Sequence, residues 1–458
     1  MRKMLILFVI TVLVLTIIAS CGNGQPSNGY TETNDPQDTN ETGAPMPGGN
    51  ETHGEVISPE DLEIRPSSEI ITITAVDGYE LQGRLTLPGG GSRIQKLVIL
   101  VNVTGPQTFD ARRNFGSGLT NFNDFYATYF QEHGIAFFSY STRGVSIGGS
   151  FPYFHTIDES QFLTNLPSNH VMDIYNMINE IQALDVRLED SLVILWGHSE
   201  GTVISTMFAE RFPHMVDALI LQSLYVDNMY DILWWRLTGG PTMVTLRHYF
   251  DADGDGRISR EEFYAVDEDI RESLMGINAT ERDGRLFIDG NQFNIDLNRF
   301  YLLFDGEITL FGLYDINNDG YIDRDDFYIH HEVQMSRNAF FMAIEDRNNT
   351  WLAYRTPRVT AEWFLEHFDL PSNMQRIQEL NLPIYIFHGT LDTSACVYSV
   401  IALQETLAER NNTNVIINIL EGYDSNLNVQ QYIVYGEMPE GLHAALYTAI
   451  SFGNIVRN

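Results

Sequence analysis

Cysteine is almost absent from this chain, whose 458 residues include only Cys21 and Cys396. Two cysteines so far apart argue against a disulfide framework, which rests on several cysteines at regular spacings. We interpret Cys396 as a packed small residue, because an unpaired cysteine usually behaves as a small apolar side chain.

Basic side chains are scarce as well. The chain has 27 Lys and Arg residues against 61 Asp and Glu residues, a formal net charge of −34. Such a surface repels nucleic acid, which excludes nucleic-acid binding, and it offers cations many weak sites. A solvated acidic surface is the simplest interpretation. The length predicts two or more folded units.

The longest apolar run lies at the start of the chain. Residues 4–18 follow Arg2 and Lys3 and precede Ala19-Ser20-Cys21, the pattern of a secretory signal. Residues 18–21 resemble the bacterial lipobox, which implies cleavage before Cys21 and lipidation of its thiol. The expected location is the cell envelope, with the protein anchored to a membrane by its lipid and facing outside the cytoplasm. An uncleaved anchor or an ordinary signal peptide is the alternative.

The rest of the chain changes character at three places. Residues rich in Gly, Asn, Pro and Thr come first, then strand patterns alternate with helical ones, and the alternation is interrupted by an acidic, aromatic, helical stretch. Strands are predicted as a hairpin within 69–87 and at 96–103, 135–140, 192–196, 218–222, 383–389 and 415–420, with helices near 121–133, 171–184 and 441–452. Such alternation predicts an α/β fold with a mainly parallel sheet flanked by helices.

These changes divide the chain into five parts. We predict a lipoprotein signal peptide (1–20), a flexible tether (21–65), a first part of the core (66–225), a largely helical cap insertion (226–380) and a second part of the core (381–458). The insertion lies where a cap would cover the mouth of a site built on the sheet.

A G-x-S-x-G motif follows the strand predicted at 192–196. It reads Gly197-His198-Ser199-Glu200-Gly201, and an apolar helical pattern comes next. Strand, sharp turn and helix are the setting of a nucleophile elbow, in which two glycines permit a strained turn that exposes the serine hydroxyl. The sequence therefore predicts Ser199 as a nucleophile.

Four segments resemble the α/β-hydrolase superfamily, near the dienelactone hydrolases and the prolyl-oligopeptidase-like esterases and peptidases. They are residues 102–106, 140–144, 197–201 and 388–392, and the resemblance covers about 68–225 and 380–455. It implies acyl transfer on a small ester or peptide substrate, in which Ser199 attacks a carbonyl, a histidine takes its proton and Asp392 orients that histidine. It also implies an oxyanion hole formed by the N–H groups of Glu200 and Thr104.

The histidine of that scheme is missing from its expected place. Ser425 occupies the slot after the last strand, and serine cannot act as a base at neutral pH. His443, the only later histidine, lies on an apolar helix that favours a packing or surface role. Two hypotheses therefore stay open: a serine hydrolase with a calcium-binding cap, and a catalytically impaired, calcium-binding hydrolase fold that serves as a binding or scaffold module.

The insertion contains two loops with the spacing of EF-hands. In residues 251–262 the oxygen ligands are Asp251, Asp253, Asp255, the Arg257 carbonyl, Ser259 through water, and Glu262. In residues 315–326 they are Asp315, Asn317, Asp319, the Tyr321 carbonyl, Asp323 as an optional ligand, and Asp326.

Two aligned loops predict two Ca²⁺ sites and a structural role for the metal. The last ligand of the second loop is Asp326, which is shorter than Glu by one methylene and resembles dockerin-type loops. The second site is therefore expected to bind Ca²⁺ more weakly or to accept Mg²⁺. Ile258 and Ile322 occupy the position at which paired EF-hand loops join by a short β contact.

Overall fold

The computed structural model describes residues 66–114, 119–150, 153–268, 270–271, 278–282, 285–289 and 311–453. The predicted signal peptide, the tether and Cys21 lie outside these residues. No helix within the described ranges has both the length and the apolar character that crossing a membrane requires.

An eight-stranded sheet forms the centre of the fold. Its strands are β1 (Ser67–Thr74), β2 (Glu80–Leu87), β3 (Lys96–Val101), β4 (Ala136–Tyr140), β5 (Leu192–His198), β6 (Ala218–Gln222), β7 (Ile384–Gly389) and β8 (Val415–Leu420). Their order across the sheet is β1-β2-β4-β3-β5-β6-β7-β8. Strand β2 is antiparallel to both neighbours, and all other neighbouring pairs are parallel.

Helices cover both faces of this sheet and fill the insertion. They are α1 (Phe122–Glu132), α2 (Glu159–Phe162), α3 (Pro167–Leu184), α4 (Glu200–Arg211), α5 (Met229–Leu237), α6 (Gly240–Phe250), α7 (Arg260–Ala265), α8 (Arg324–Ile329), α9 (His331–Glu345), α10 (Asn349–Ala353), α11 (Ala361–Asp369), α12 (Asn373–Glu379), α13 (Val397–Glu409), α14 (Val429–Tyr435) and α15 (Glu440–Ser451). Short 3₁₀ turns occur at Val186–Leu188 and Phe311–Leu313.

Strand β3 shows why the central strands are apolar throughout. Leu97 and Ile99 point to one face of the sheet, where they pack with residues of α3 and α4. Val98 and Leu100 point to the other face, against α1 and α15. Successive side chains of a strand point to opposite faces, so a strand covered on both faces needs apolar residues at every position. The predicted fold class is confirmed.

One segment differs from its predicted structure. The glycine content of residues 141–150, which follow a predicted strand, predicts a loop, but Val145–Ser150 forms a strand antiparallel to Tyr153–Ile157. Main-chain pairing with a downstream segment, which local composition does not reveal, holds these residues extended. Further short antiparallel pairs join Arg112–Asn114 to Leu119–Asn121, Ile258–Ser259 to Tyr321–Ile322, and Asn278–Arg282 to Arg285–Asp289.

The insertion enters and leaves the sheet between neighbouring strands. The chain leaves after Gln222 at the end of β6 and returns at Ile384 in β7, which pairs directly with β6. Helices α5–α12 lie between these points. The division of the chain at residues 225 and 380 stays a prediction, because the structure gives elements and not domain limits.

The turn from β5 into α4 brings two backbones into close contact. A Cβ atom at residue 201 would lie 2.2 Å from the Val101 carbonyl oxygen at the end of β3. A Cβ atom at residue 197 would lie 2.4 Å from the Gly201 carbonyl oxygen. Both distances are far below van der Waals contact, so both positions require glycine.

Replacement of Gly201 by alanine tests this close packing. We expect Gly201→Ala to lower the free energy of unfolding by about 3 kcal/mol, because overpacking forces the backbone to shift. Urea unfolding followed by circular dichroism measures the change. Gly91→Ala is the matched control, because nothing lies within 4 Å of a Cβ atom at residue 91. Equal unfolding midpoints for the two variants would contradict the interpretation.

Candidate active site and metal-binding loops

Ser199 lies at the junction of β5 and α4 in a backbone conformation that few non-glycine residues adopt. Its φ is 56° and its ψ is −118°. The Ser199 N–H donates to the Gln222 carbonyl oxygen at 3.0 Å, and the Thr202 hydroxyl donates to the Ser199 carbonyl oxygen at 2.6 Å. This strained turn at the carboxyl end of a central strand has the geometry of a nucleophile elbow.

The Ser199 hydroxyl bonds to a tyrosine and not to an imidazole. Ser199 Oγ donates to the Tyr225 hydroxyl at 2.6 Å. Arg236 Nη2 donates to the same tyrosine oxygen at 2.5 Å and also to the Ser394 carbonyl oxygen. Ser199 is 8% exposed and Tyr225 is 1% exposed. A buried chain of hydrogen bonds thus leads from Ser199 to the loop after β7.

Asp392 lies on that loop and is buried. One carboxylate oxygen, Oδ1, accepts the N–H groups of Ser394 at 2.7 Å and Ala395 at 3.1 Å. The other, Oδ2, has no hydrogen-bond partner among the described residues. His388 Nε2 lies 3.6 Å from this oxygen, beyond hydrogen-bond distance. Burial lowers the pKa of His388 and so disfavours its protonated form. Asp392 therefore presents an acceptor oxygen to which no residue of the described ranges donates.

The slot expected to hold a histidine carries Ser425 in the structure as well. The Ser425 carbonyl accepts the Gln222 side-chain amide at 2.9 Å, so its backbone lies beside the end of β6. His443 is exposed on α15, and its ring stacks on Tyr447. The surface role predicted for His443 agrees with this position.

The two predicted oxyanion residues flank the elbow. Glu200 is the first residue of α4, where backbone N–H groups have no intrahelical acceptor. Thr104 follows β3, whose end contacts Gly201, and its hydroxyl oxygen is buried with no hydrogen-bond partner in the described ranges. Asn102 begins the loop that contains Thr104, and its side-chain amide donates to the Tyr140 carbonyl oxygen at 2.9 Å. The catalytic roles of these residues stay predictions.

The Glu200 side chain belongs to a buried polar cluster that the sequence did not indicate. Its carboxylate accepts Trp363 Nε1 at 2.8 Å and bonds to His367 Nε2 at 3.1 Å, both on α11. Burial alone would raise the pKa of Glu200, but the contacts with His367, His170 and Trp363 bring it below its usual value. A buried carboxylate thus ties the cap helix α11 to the residue after Ser199.

The first EF-hand loop has the geometry of a cation site. Asp251, Asp253 and Asp255 place their ligand atoms within 4.8 Å of one another. Glu262 closes the loop, because its Oε1 accepts the Ala252 N–H at 2.9 Å and its Oε2 accepts the Ser259 N–H at 2.8 Å. Carboxylates that converge in this way suit a hard divalent cation such as Ca²⁺.

The second loop repeats the pattern with a shorter closing residue. Asp326 Oδ1 accepts the Ile316 N–H at 2.7 Å, and Asp315 Oδ2 accepts the Gly320 N–H at 3.1 Å. Burial raises the pKa of both carboxyl groups, a cost that a bound cation would offset. Within the described part of the chain, only the first loop brings three acidic groups together at metal-binding distances.

The two loops are joined, as the sequence predicts. Ile258 and Ile322 pair across a two-residue antiparallel contact. The Arg257 side chain crosses from the first loop to the second, where Nη2 lies 2.6 Å from Asp319 Oδ2 and Nε lies 3.0 Å from Asp323 Oδ2. Arg257 thus contacts one carboxylate oxygen of Asp319, a predicted metal ligand of the second loop.

The sequence interpretation missed Tyr225 and Arg236. Tyr225 follows β6 in a segment without a motif, and Arg236 lies on the first helix of the insertion. No spacing pattern connects these residues to Ser199. The pairing of β6 with β5 brings Tyr225 beside Ser199, and α5 then brings Arg236 beside Tyr225.

Comparisons with known proteins agree with this description. The EF hand family model matches residues 248–266 and 307–328. Comparison with curated proteins finds no match.

Similar solved structures include esterases and a peptidase. A thermostable carboxyl esterase from Bacillus coagulans in complex with glycerol is 14% identical, with 85% of this chain and 98% of that chain covered and a TM-score of 0.43. An esterase from Exiguobacterium antarcticum is 11% identical, with 82% of this chain and 98% of that chain covered and a TM-score of 0.40. An acylaminoacyl peptidase from Pyrococcus horikoshii is 12% identical, with 86% of this chain covered and a TM-score of 0.39. Only 42% of that protein is covered, so this chain spans less than half of it.

The strand order and the elbow define the class of fold. The order β1-β2-β4-β3-β5-β6-β7-β8 with β2 antiparallel, the strained serine after β5 and the acidic residue after β7 are the arrangement of an α/β hydrolase. The chain has the α/β-hydrolase fold, and its insertion contains EF-hand motifs.

The buried cluster at the elbow predicts acid sensitivity. Burial lowers the pKa of His170 from 6.5 to about 4. Between those pH values the unfolded chain binds a proton that the folded chain does not, so the free energy of unfolding falls as the pH is lowered. We expect His170 to account for about 3 kcal/mol of that loss.

The measurement is urea unfolding of the wild type and of His170→Asn at several pH values from about 7 to about 4. The pH dependence should be weaker in His170→Asn and unchanged in His443→Asn, which replaces an exposed histidine. Identical slopes for wild type and His170→Asn would show that His170 does not remain neutral in the folded state.

Proposed function

We propose that this protein is a serine hydrolase that cleaves ester or peptide bonds of a small substrate. The observation that carries the proposal is the strained Ser199 at the β5–α4 junction, linked by hydrogen bonds to the loop of Asp392. A positive φ angle at a serine costs conformational energy, and such backbone strain is concentrated at functional sites.

The chemistry proposed for this site is acyl transfer. Ser199 Oγ attacks the carbonyl carbon, and the carbonyl oxygen becomes negatively charged beside the N terminus of α4. The Glu200 N–H and the helix dipole stabilise that charge, and the Thr104 segment after β3 supplies the second donor. An acyl group on Ser199 is then released by water.

We further propose that Ca²⁺ bound in the EF-hand pair stabilises the cap. Arg247 on α6 donates to the Gly256 carbonyl oxygen of the first loop at 2.8 Å and to the Tyr398 hydroxyl on α13 at 3.2 Å. Arg324 on α8 donates to the Thr238 hydroxyl at 3.0 Å, directly after α5. The loops therefore brace the helix that carries Arg236 against the core.

The proposed location rests on the sequence alone. A lipid on Cys21 would tether the folded part to a membrane through the segment 22–65, outside the cytoplasm. There the Ca²⁺ concentration suffices to fill weak EF-hand sites, which fits a permanent structural role for the metal. Mass spectrometry of the protein extracted from its native membrane would test the lipid.

Covalent labelling tests the proposed activity. We expect a fluorophosphonate probe to label the wild-type protein at Ser199 in the presence of Ca²⁺ and to leave Ser199→Ala unlabelled, because the probe phosphonylates an activated serine. Ser425→Ala is the control and should be labelled like the wild type, since Gln222 holds the backbone carbonyl of Ser425 and not its hydroxyl. An unlabelled wild type would favour the binding or scaffold module over the hydrolase.

Removal of the closing ligands tests the metal. In the wild type, Ca²⁺ should raise the unfolding temperature, because a ligand that binds only the folded state stabilises it. The double variant Glu262→Gln, Asp326→Asn should show little or no such rise in differential scanning calorimetry. The charge-matched control is Glu261→Gln, Asp325→Asn, whose side chains are exposed beside the closing ligands. An equal Ca²⁺ effect in both double variants would reject the loops as the sites.

A further inference from the structure

Tyr225 is fixed beside Ser199 from three directions. Its N–H donates to the Thr202 hydroxyl at 3.2 Å, and its carbonyl accepts the Asn373 side-chain amide at 2.8 Å. Its ring belongs to the apolar cluster that includes Leu233. The phenol oxygen therefore has one available position, 2.6 Å from Ser199 Oγ.

Arg236 faces the tyrosine oxygen without a carboxylate partner. Its Nη2 donates to the Tyr225 oxygen at 2.5 Å, and its guanidinium lies 5.3 Å from the centroid of the Tyr225 ring. Its other hydrogen bonds go to the neutral Ser394 carbonyl. No ion pair to an Asp or Glu side chain is formed by Arg236 among the described residues. The Tyr225 oxygen therefore receives hydrogen bonds from two donors, Ser199 Oγ and the cationic Arg236 side chain.

Three buried histidines near the site form no hydrogen bond with the Ser199 hydroxyl in the described part of the chain. His388 is fully buried behind the Asp392 loop, and burial disfavours its protonation. His367 bonds to the Glu200 carboxylate, and His170 bonds to the Tyr140 hydroxyl. Tyr225, in contrast, is the group to which the Ser199 hydroxyl donates.

We propose that Tyr225, acting in its deprotonated form, is the general base of Ser199 in place of the missing histidine, with Arg236 holding the tyrosine oxygen in position. The inference rests on the proposed hydrolase function and names the proton acceptor of the same site. Tyr225 is then a catalytic residue, and Arg236 is a positioning residue that acts through it.

The proton balance of the reaction follows from this arrangement. As Ser199 Oγ forms its bond to the carbonyl carbon, its proton passes to the Tyr225 phenolate, which becomes a neutral phenol. When the tetrahedral intermediate collapses, the phenol returns that proton to the leaving group, and the phenolate is regenerated. Water then attacks the acyl carbonyl, gives one proton to the phenolate, and that proton returns to Ser199 Oγ as the acid product leaves.

The test compares rates of fluorophosphonate labelling at Ser199 over a range of pH in the presence of Ca²⁺. We expect Tyr225→Phe to be labelled about 100-fold more slowly than the wild type, in the range seen when a general base is removed. The wild-type rate should show no rise centred near pH 6.5, where an unperturbed histidine titrates, and should keep rising into the alkaline range.

Substitution of Arg236 gives a readout that a purely structural role would not move. In Arg236→Met labelling should be slower than in the wild type at every pH, because the Tyr225 oxygen loses the donor that holds it. Arg236→Lys keeps the charge and should restore part of the wild-type profile. Circular dichroism and the unfolding temperature show whether each variant is folded.

Tyr230→Phe is the matched control, because it removes an exposed tyrosine hydroxyl on α5 and should leave the labelling rate unchanged. Equal labelling rates for wild type and Tyr225→Phe would overturn this inference while leaving the hydrolase proposal intact. A wild-type labelling rate that rises only once, near pH 6.5, would do the same. Failure of the wild type to be labelled would overturn both.

Discussion

The contact between the first turn of α4 and the end of β3 is the constraint on which the site depends. A side chain at residue 201 would overlap the Val101 carbonyl, so the helix can begin this close to the sheet only with glycine there. The close approach forces the turn to be sharp, and the sharp turn puts Ser199 at a φ of 56°. The position of the hydroxyl, the exposed N–H groups of α4 and the segment after β3 all follow from this contact.

Polar groups buried at the same junction attach the insertion to the core. Glu200 accepts hydrogen bonds from α11 while its neighbour Ser199 donates to Tyr225 at the start of the insertion. Buried polar groups are costly unless each has a partner, and a satisfied network then favours one arrangement over others. The cap is therefore positioned by specific bonds at the elbow, and the EF-hand pair braces it from the outer side through Arg247 and Arg324. In a chain with a net charge of −34, cations bound in the EF-hand loops would also reduce the repulsion among the acidic groups of this lobe.

The proposed site resembles a serine–histidine–acid arrangement only in part. Asp392 is buried on the loop after β7, and its Oδ2 has no donor among the described residues. Ser425 stands where an imidazole would link that oxygen to Ser199. The Ser199 hydroxyl instead donates to the Tyr225 hydroxyl, which also accepts a hydrogen bond from Arg236. The proposed use of Tyr225 as proton acceptor in place of a histidine is compatible with the same nucleophile, since the elbow geometry does not depend on which base is used.

Local patterns in the sequence were sufficient for the elements and for motifs of fixed spacing. Apolar runs marked the buried strands, G-x-S-x-G marked the elbow, and both EF-hand loops with their Ile258–Ile322 pairing were evident, because each depends on residues close together in the chain. The glycine-rich segment after β4 was predicted wrongly as a loop, because its strand partner lies elsewhere. The contacts of Ser199 with Tyr225, of Tyr225 with Arg236, and of Glu200 with Trp363 and His367 join segments that only the tertiary fold brings together. Tertiary structure alone decided which side chains surround the serine, because hydrogen bonds between distant segments leave no periodic pattern in the sequence.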